Sequence, residues 1–274
     1  MVQVHRLLGP VGLVRHSGDT TICRVAGKME YGKEFYFRFS RENLASLITE
    51  FNSNGFVGCP PFHFISAHAF VEGAKSRELR EVYETGRLIC DSKPLSIYLS
   101  RFIKITPQVR GTDFMREFLL MAPMGSKHFF LGGTLETLKG IESYITKIRG
   151  GELNCEFGSP AFDVSWTEAS EFWIKSIERA RPNFVWVGMG APRQFHVSND
   201  IYKALDIPTF SVGAAFDFLA GSKRECPSAI ANIGLEWLFR LLSEPRRLWK
   251  RYLIGNVEFL IVVLKNLRKR SRID

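Results

Sequence analysis

Residues 184–194 read Phe-Val-Trp-Val-Gly-Met-Gly-Ala-Pro-Arg-Gln, and this run decides the fold. Phe184–Val187 is apolar without alternation, the pattern of a strand covered on both faces. Gly188 and Gly190 then break the strand, and Pro192 is tolerated in the first turn of the helix that follows. The same unit recurs on either side. Upstream, His128–Leu131 is a short apolar strand followed by Gly132 and Gly133 and a helical stretch from Thr134 to Ile148. Leu153–Phe157 is a strand that precedes a helix over Trp166–Ala180, and downstream Pro208–Val212 runs into Gly213. In the first half, Phe35–Phe39, Phe62–Ser66 and Arg87–Cys90 read as strands, with Ser40 placed to cap a helix reaching Phe51. The pattern predicts an α/β protein: a mostly parallel sheet with helices on both faces. One domain spans 1–220, its regular elements starting near residue 20, and a helical appendage spans 221–274.

Charge sharpens this division. Of a net +9, residues 221–274 hold twelve Lys or Arg against five Asp or Glu. A negatively charged partner is therefore to be sought at the C-terminal end. Five scattered cysteines (Cys23, Cys59, Cys90, Cys155, Cys226) contain no CxxC and no His at finger spacing, so they read as reduced thiols, with neither a disulfide frame nor a zinc site. His5, Arg6, Pro10 and Arg15 interrupt the N-terminal apolar run, which makes a poor signal peptide. The apolar run Phe259–Leu264 is far shorter than the roughly 20 residues a bilayer span needs. The expectation is a cytoplasmic protein whose membrane contact is peripheral.

Parallel α/β sheets bind ligands beyond the carboxyl ends of their strands. Four such places carry chemistry: Asp91 after Arg87–Cys90, Gly132-Gly133, Gly188-Met189-Gly190 with Gln194, and Gly213 with Asp217. Glycine lets a backbone approach a ribose or diphosphate, and helix N-termini favour anions; glycine also serves a plain strand-to-helix turn. Asp91 admits two readings, a general base with a raised pKa or an N-cap aspartate. His68, His128 and His196 read as structural. Neither GxGxxG nor GxxxxGK[ST] is complete and no DxD pair occurs, which argues against dehydrogenase and NTPase chemistry and gives no reason to invoke a metal or other cofactor.

In the tail, Leu235, Leu238, Leu241, Leu242, Leu248, Trp249 and Tyr252 recur near helical spacing, with Arg240, Arg247, Lys250 and Arg251 on a neighbouring face. Such a stripe either packs on the core or lies at a membrane interface, with Trp237, Trp249 and Tyr252 at headgroup depth and cations toward lipid phosphate. The closing cluster Lys265, Arg268, Lys269, Arg270 and Arg272 supports the second reading.

Residues 188–194, GMGAPRQ, are similar to the G-x-G-[ST]-P-[KR]-Q element of the WecG/TagA/CpsF glycosyltransferases (glycosyltransferase family 26). The stretch VGAAFDFLAG…P…GLEWLFRLLSEPRRLWKRYL resembles the same family over some forty residues. The resemblance implies a Rossmann-like sheet and an inverting, metal-independent transferase. Its donor would be a UDP-sugar and its acceptor a polyprenyl-diphosphate-linked saccharide, used for teichoic acid or surface polysaccharide. It places the protein on the inner face of the plasma membrane, against an anionic surface, and allows a homo-oligomer. By resemblance Asp91 is the base and Gln194 the family glutamine. Arg240 and Arg247, with Lys250 on the next turn, are the appendage cations that complete the site. Ser66 and His68 occupy a T-x-N element and are expected to contact substrate. The glycines Gly132, Gly133, Gly188, Gly190 and Gly213, with Asp217, hold the nucleotide. The R-V-x-G-x-D motif reads Gln108-Val109-Arg110-Gly111-Thr112-Asp113, moving its arginine two places, and Arg110 is expected to offset diphosphate charge. R-A-P reads Glu225-Cys226-Pro227, with Arg224 one place earlier. Two other readings stand beside this one: a nucleic-acid binder using the basic aromatic tail, although no nucleic-acid module is visible, and a degenerate transferase acting as a scaffold.

Overall fold

The computed structural model describes residues 13–14, 22–28, 34–40, 42–53, 58–102, 107–161 and 163–270. An N-terminal ribbon is formed by β1 (Leu13–Val14), β2 (Ile22–Lys28) and β3 (Glu34–Phe39). Helix α1 (Leu44–Ser53) leads to β4 (Phe62–Ile65), then α2 (Ala67–Lys75), α3 (Arg77–Thr85) and β5 (Arg87–Cys90). Two helices, α4 (Lys93–Phe102) and α5 (Gly111–Met121), carry the chain to β6 (Lys127–Gly132). Next come α6 (Leu135–Arg149), β7 (Asn154–Gly158), α7 (Trp166–Ala180), β8 (Phe184–Gly188), α8 (Arg193–Leu205) and β9 (Thr209–Ser211). Short helices α9 (Ala215–Leu219), α10 (Ser228–Asn232) and α11 (Glu236–Ser243) precede the long α12 (Pro245–Arg270).

Among the described residues nine strands form one sheet, in the order β1-β2-β3-β5-β4-β9-β8-β6-β7. The β1–β2 and β2–β3 pairs are antiparallel; β3 joins β5 in parallel, and every later pair is parallel. The mostly parallel sheet of the sequence reading is thus present, with an antiparallel ribbon at one edge. The glycine-turn strands fall where expected, and β9 is only Thr209–Ser211. Ser40 is not a helix cap. Its N–H donates to the Leu88 carbonyl, which continues the β3–β5 pairing, and Asn43 Oδ1 instead accepts from Ser46 N–H as α1 begins.

Period-two alternation sends side chains to the two faces of the sheet. Phe62, Phe130, Phe184, Trp186 and Phe210 face α1, α5, α6 and α9. Phe129, Leu131, Val185 and Val187 face α7 and α8, while Phe37, Phe39, Ile65, Leu88 and Cys90 face α2, α3 and α4. Aromatic packing is dense: Trp186 and Phe210 have ring centroids 4.6 Å apart, and Phe118 and Phe184 lie 4.9 Å apart edge to face. Each such pair adds about 0.5–1.5 kcal/mol beyond its area burial. His128 belongs to this core. Trp186 Nε1–H donates to its Nδ1 at 3.1 Å, which leaves the ring proton on Nε2, 2.9 Å from Ser126 Oγ.

The tail does not project. Leu248 and Phe259 of α12 are buried, and the Phe259 ring lies 6.4 Å from that of Phe70 and 5.8 Å from that of Tyr98. Lys75 pairs with Glu258 across the α2–α12 contact. On the other side of α12, Trp249, Leu253, Val257, Leu260 and Leu264 are exposed, every three or four residues. No helix among the described residues is long and apolar enough to cross a membrane. Lys265, Arg268, Lys269 and Arg270 continue α12, and Arg272 lies outside the described residues, as does the N-terminal stretch 1–12.

Candidate active site

Because β4, β5, β6, β8 and β9 run parallel, their carboxyl ends share one edge of the sheet. A cleft of about 800 Å³ opens there, roofed by α11 and the start of α12. Its floor is made of strand-to-helix turns: Ser66 after β4, Asp91 and Ser92 after β5, Gly133 and Thr134 after β6, Gly188 to Gly190 after β8 and Gly213 to Asp217 after β9. Several helices start at this floor. Ser66 caps α2 by accepting Ala69 N–H, and Thr134 caps α6 by accepting Thr137 N–H. Convergent helix N-termini aim partial positive charge and free N–H groups into one space, a setting suited to a diphosphate.

The glycines divide by task. Gly190 has φ +78° and open space where a side chain would be, so its backbone is bare toward the cleft. Gly132 does not line the cleft. A Cβ there would meet the Gly188 carbonyl at 2.7 Å, so this glycine lets β6 and β8 approach each other.

Asp91 is half-buried at the cleft wall. Its Oδ1 accepts Gly111 N–H at 2.8 Å, capping α5 rather than the helix that directly follows it. Burial raises its pKa above the usual carboxylate range and the nearby Glu236 carboxylate adds to this, while the Gly111 N–H, Arg240 and Arg110 oppose it. A carboxylate so placed combines a fixed orientation with raised basicity, as a general base requires.

The roof supplies cations. Arg240 lines the cleft, held by Glu236 at 2.7 Å and stacked on the Phe218 ring at 4.9 Å. Arg247 lines it beside Glu244 (2.7 Å). Lys223, which sequence reasoning passed over, also lines it, bonded to Asp217 at 2.6 Å and 3.5 Å from Glu244. Trp237 and Tyr252 line the cleft with rings 6.2 Å apart, so they face substrate space, and of the three proposed headgroup aromatics only Trp249 is exposed. Lys250 does not line the cleft; its Nζ sits 5.5 Å from the Trp249 ring on the outer face. Arg110 does not line it either. Glu225 at 2.6 Å and Glu236 at 3.6 Å hold its guanidinium in a neighbouring polar hollow. His68 lines the cleft from the first turn of α2, packed so closely on α12 that a Cβ at Gly255 would meet its ring at 2.9 Å. Glu236 is the functional residue most clearly missed, and its signal was the i, i+4 spacing to Arg240. Among the described residues no group of three or more His, Cys, Asp or Glu side chains is arranged to hold a metal ion.

The Glycosyl transferase WecG/TagA/CpsF family matches residues 38–273, nearly the whole of this architecture. The chain belongs to that family. This family member is therefore a glycosyltransferase. A curated relative from Bacillus subtilis (strain 168), N-acetylglucosaminyldiphosphoundecaprenol N-acetyl-beta-D-mannosaminyltransferase, is 26% identical over 204 residues, covering 72% of this chain and 76% of its own. Proteins of the same name from Staphylococcus aureus strains MRSA252 and MW2 are 24% and 25% identical. Each of those matches covers 60% of this chain and 61% of the relative's length. In this glycosyltransferase the family-matched Asp91, Gln194, Arg240 and Arg247 all line one cleft, and so do Ser66 and His68 at the altered T-x-N element.

Proposed function

We propose that this glycosyltransferase moves a sugar from a UDP-sugar to a saccharide on a polyprenyl diphosphate, with inversion, in the synthesis of a bacterial surface polymer. The observation that carries this reading is Asp91: a carboxylate with raised pKa on the wall of a cleft whose floor is helix N-termini and whose roof is cationic. The names of the relatives support the acceptor class, since each acts on an undecaprenyl-diphosphate-linked N-acetylglucosamine.

In the proposed reaction Asp91 removes the proton from an acceptor hydroxyl as its oxygen attacks the anomeric carbon. The bond to the UDP oxygen breaks on the opposite face, and the electron pair leaves on the diphosphate. Helix N-termini, Arg240, Arg247 and Lys223 offset that developing charge. Arg110 acts one step back, by holding Glu236 and with it Arg240. The exposed apolar row of α12 rests on an anionic lipid surface, which brings the lipid-linked acceptor to the cleft.

The test is UDP release from a panel of UDP-sugars with a short-chain diphospholipid-linked sugar, with and without EDTA. Acceptor-dependent release from one donor, unchanged by EDTA, is the expected result. UDP binding without release from any donor would remove the catalytic reading and favour a scaffold.

A further inference from the structure

Lys93 opens α4 two residues after Asp91 and lines the same cleft, half-buried. The reaction proposed above does not use it. The other Lys and Arg side chains of the cleft are each held by a carboxylate: Lys223 by Asp217 at 2.6 Å, Arg240 by Glu236 at 2.7 Å and Arg247 by Glu244 at 2.7 Å. Lys93 forms no ion pair among the described residues. Its stem is nonetheless packed. The turn between α10 and α11 runs against it, where a Cβ on Gly234 would meet Lys93 Cγ at 3.6 Å and Cβ at 3.7 Å. A positioned ammonium with three N–H donors and no anion of its own suits an anionic ligand group.

Position decides which anion. In an inverting displacement the base and the leaving group stand on opposite faces of the anomeric carbon. Asp91 therefore marks the acceptor side, and the departing UDP lies away from it. Lys93, next to that base, stands on the acceptor side as well. An acceptor of the proposed class brings a diphosphate of its own there. Apolar side chains border the lysine. Ile97, one turn further along the same face of α4, is exposed, and so is Ile233, next to Gly234 in the chain. One unpaired cation between two exposed isoleucines matches a diphosphate that continues into a prenyl chain.

We infer that Lys93 binds the diphosphate of the lipid-linked acceptor, with Ile97 and Ile233 against its first isoprene units, and that the donor diphosphate is left to Arg240, Arg247 and Lys223. The inference rests on the acceptor class proposed above. It makes the enzyme select a charged lipid-linked sugar over the same sugar on a neutral lipid, through a residue that the donor does not touch.

The experiment measures acceptor and donor binding separately, by titration of the intact protein. Wild type, Lys93→Gln and Lys93→Arg are titrated with UDP, with a sugar on farnesyl diphosphate, and with the same sugar as a neutral farnesyl glycoside. Lys93→Gln is expected to bind the diphosphate acceptor about 10–100-fold more weakly, the size of one charge-assisted contact, with UDP affinity unchanged. Lys93→Arg keeps most of the acceptor affinity. The Ile97→Ser, Ile233→Ser double variant loses about three-fold or more of the affinity gained from a geranyl to a farnesyl chain. That variant leaves Lys93 in place and reads the same subsite if Lys93→Gln does not fold. Acceptor affinity unchanged in Lys93→Gln, or lowered equally for the diphosphate and the neutral glycoside, would overturn the inference. So would a matching loss of UDP affinity, which assigns Lys93 to the donor, or a loss confined to vesicles of anionic lipid, which assigns it to bulk headgroups. None of these touches the UDP-sugar reading. A wild-type protein that binds no diphosphate acceptor would remove the proposed acceptor class, and this inference with it.

Discussion

Arg110 and Glu225 form an ion pair, Nη2 to Oε1 at 2.6 Å, that joins the start of α5 to the segment before α10. By the resemblance described above, both residues lie in altered motifs: the arginine of R-V-x-G-x-D is moved two places, and R-A-P reads Glu225-Cys226-Pro227 with Arg224 one place earlier. In space the two departures are partners. Arg116 Nη2 takes the second Glu225 oxygen at 2.7 Å. Burial alone would push the Glu225 carboxyl up, but Arg116 and Arg110 bring it below the ordinary range. The appendage is thus fastened to the core by Glu225 and the two arginines that share its carboxylate.

The first prediction concerns this fastening. Glu225→Gln costs about 1–2 kcal/mol of stability, because two half-buried guanidiniums lose their shared anion. A double-mutant cycle with Arg110→Gln, read by urea unfolding, yields a coupling of about 1 kcal/mol. Amide exchange should rise in α10 and α11 for Glu225→Gln. Additive single effects, with unchanged exchange in those helices, would show that the pair fastens nothing.

The second concerns Asp91. Asn keeps an oxygen for the Gly111 N–H but cannot take a proton, so Asp91→Asn leaves α5 capped while turnover falls roughly 10²–10⁴-fold, about 3–5 kcal/mol of barrier. Wild-type activity rises with pH as Asp91 deprotonates, and that acid limb lies above the ordinary carboxylate range because burial and Glu236 raise its pKa. Glu236→Gln removes the like charge and frees Arg240 to face Asp91, so the limb moves to lower pH. His68 and Lys93 also line this wall and remain in both proteins. A limb that stays in place, or moves up, would separate Glu236 from Asp91.

Much of this was legible in the chain, and for a physical reason. Runs such as Phe184–Val187 have to be buried on both faces, and glycines directly after them leave few topologies besides strand, turn and helix. Asp91, Gln194 and Gly213 could be placed at one edge because parallel strands end together. The tail was harder. Along α12 apolar residues lie on more than one side, so periodicity could not tell that Phe259 packs on α2 and Leu248 lines the cleft while Leu253 and Val257 face outward. Trp237 and Tyr252, for which the sequence offered either core packing or a headgroup position, wall the cleft. Lys223 escaped because its importance lies in what it touches across the fold, which no local pattern encodes, whereas the i, i+4 spacing of Glu236 to Arg240 marks a pair without showing that it faces Asp91.

The third prediction separates the two sides of α12. Phe259→Ala opens a hole between Phe70 and Tyr98 and costs about 3 kcal/mol. Leu253→Ser, Val257→Ser and Leu260→Ser combined leave stability within about 1 kcal/mol, since these side chains are already exposed. The triple variant binds vesicles containing anionic lipid roughly 10–100-fold more weakly than wild type. Pelleting assays and thermal melts decide both halves. Equal vesicle binding by the triple variant would mean that the exposed row is not the lipid-facing side.

The last prediction follows from the two fully buried imidazoles. Burial lowers His63, helped by His196, and His128, helped by Arg149, to about 3 each, against an ordinary value of 6.5. In the unfolded chain both take protons as the pH falls through 6.5, whereas the folded protein refuses them until about 3. Stability is therefore complete above 6.5 and is lost progressively on acidification, by as much as about 1.4 kcal/mol per pH unit for each imidazole. His128→Asn keeps an acceptor for Trp186 Nε1–H while removing one titration. The stability slope between pH 6 and 5, from urea midpoints at a series of pH values, should fall by close to one proton in that variant. An unchanged slope would mean that His128 takes up its proton in the folded state, and the Trp186 Nε1–H bond to its Nδ1 would then have to be abandoned.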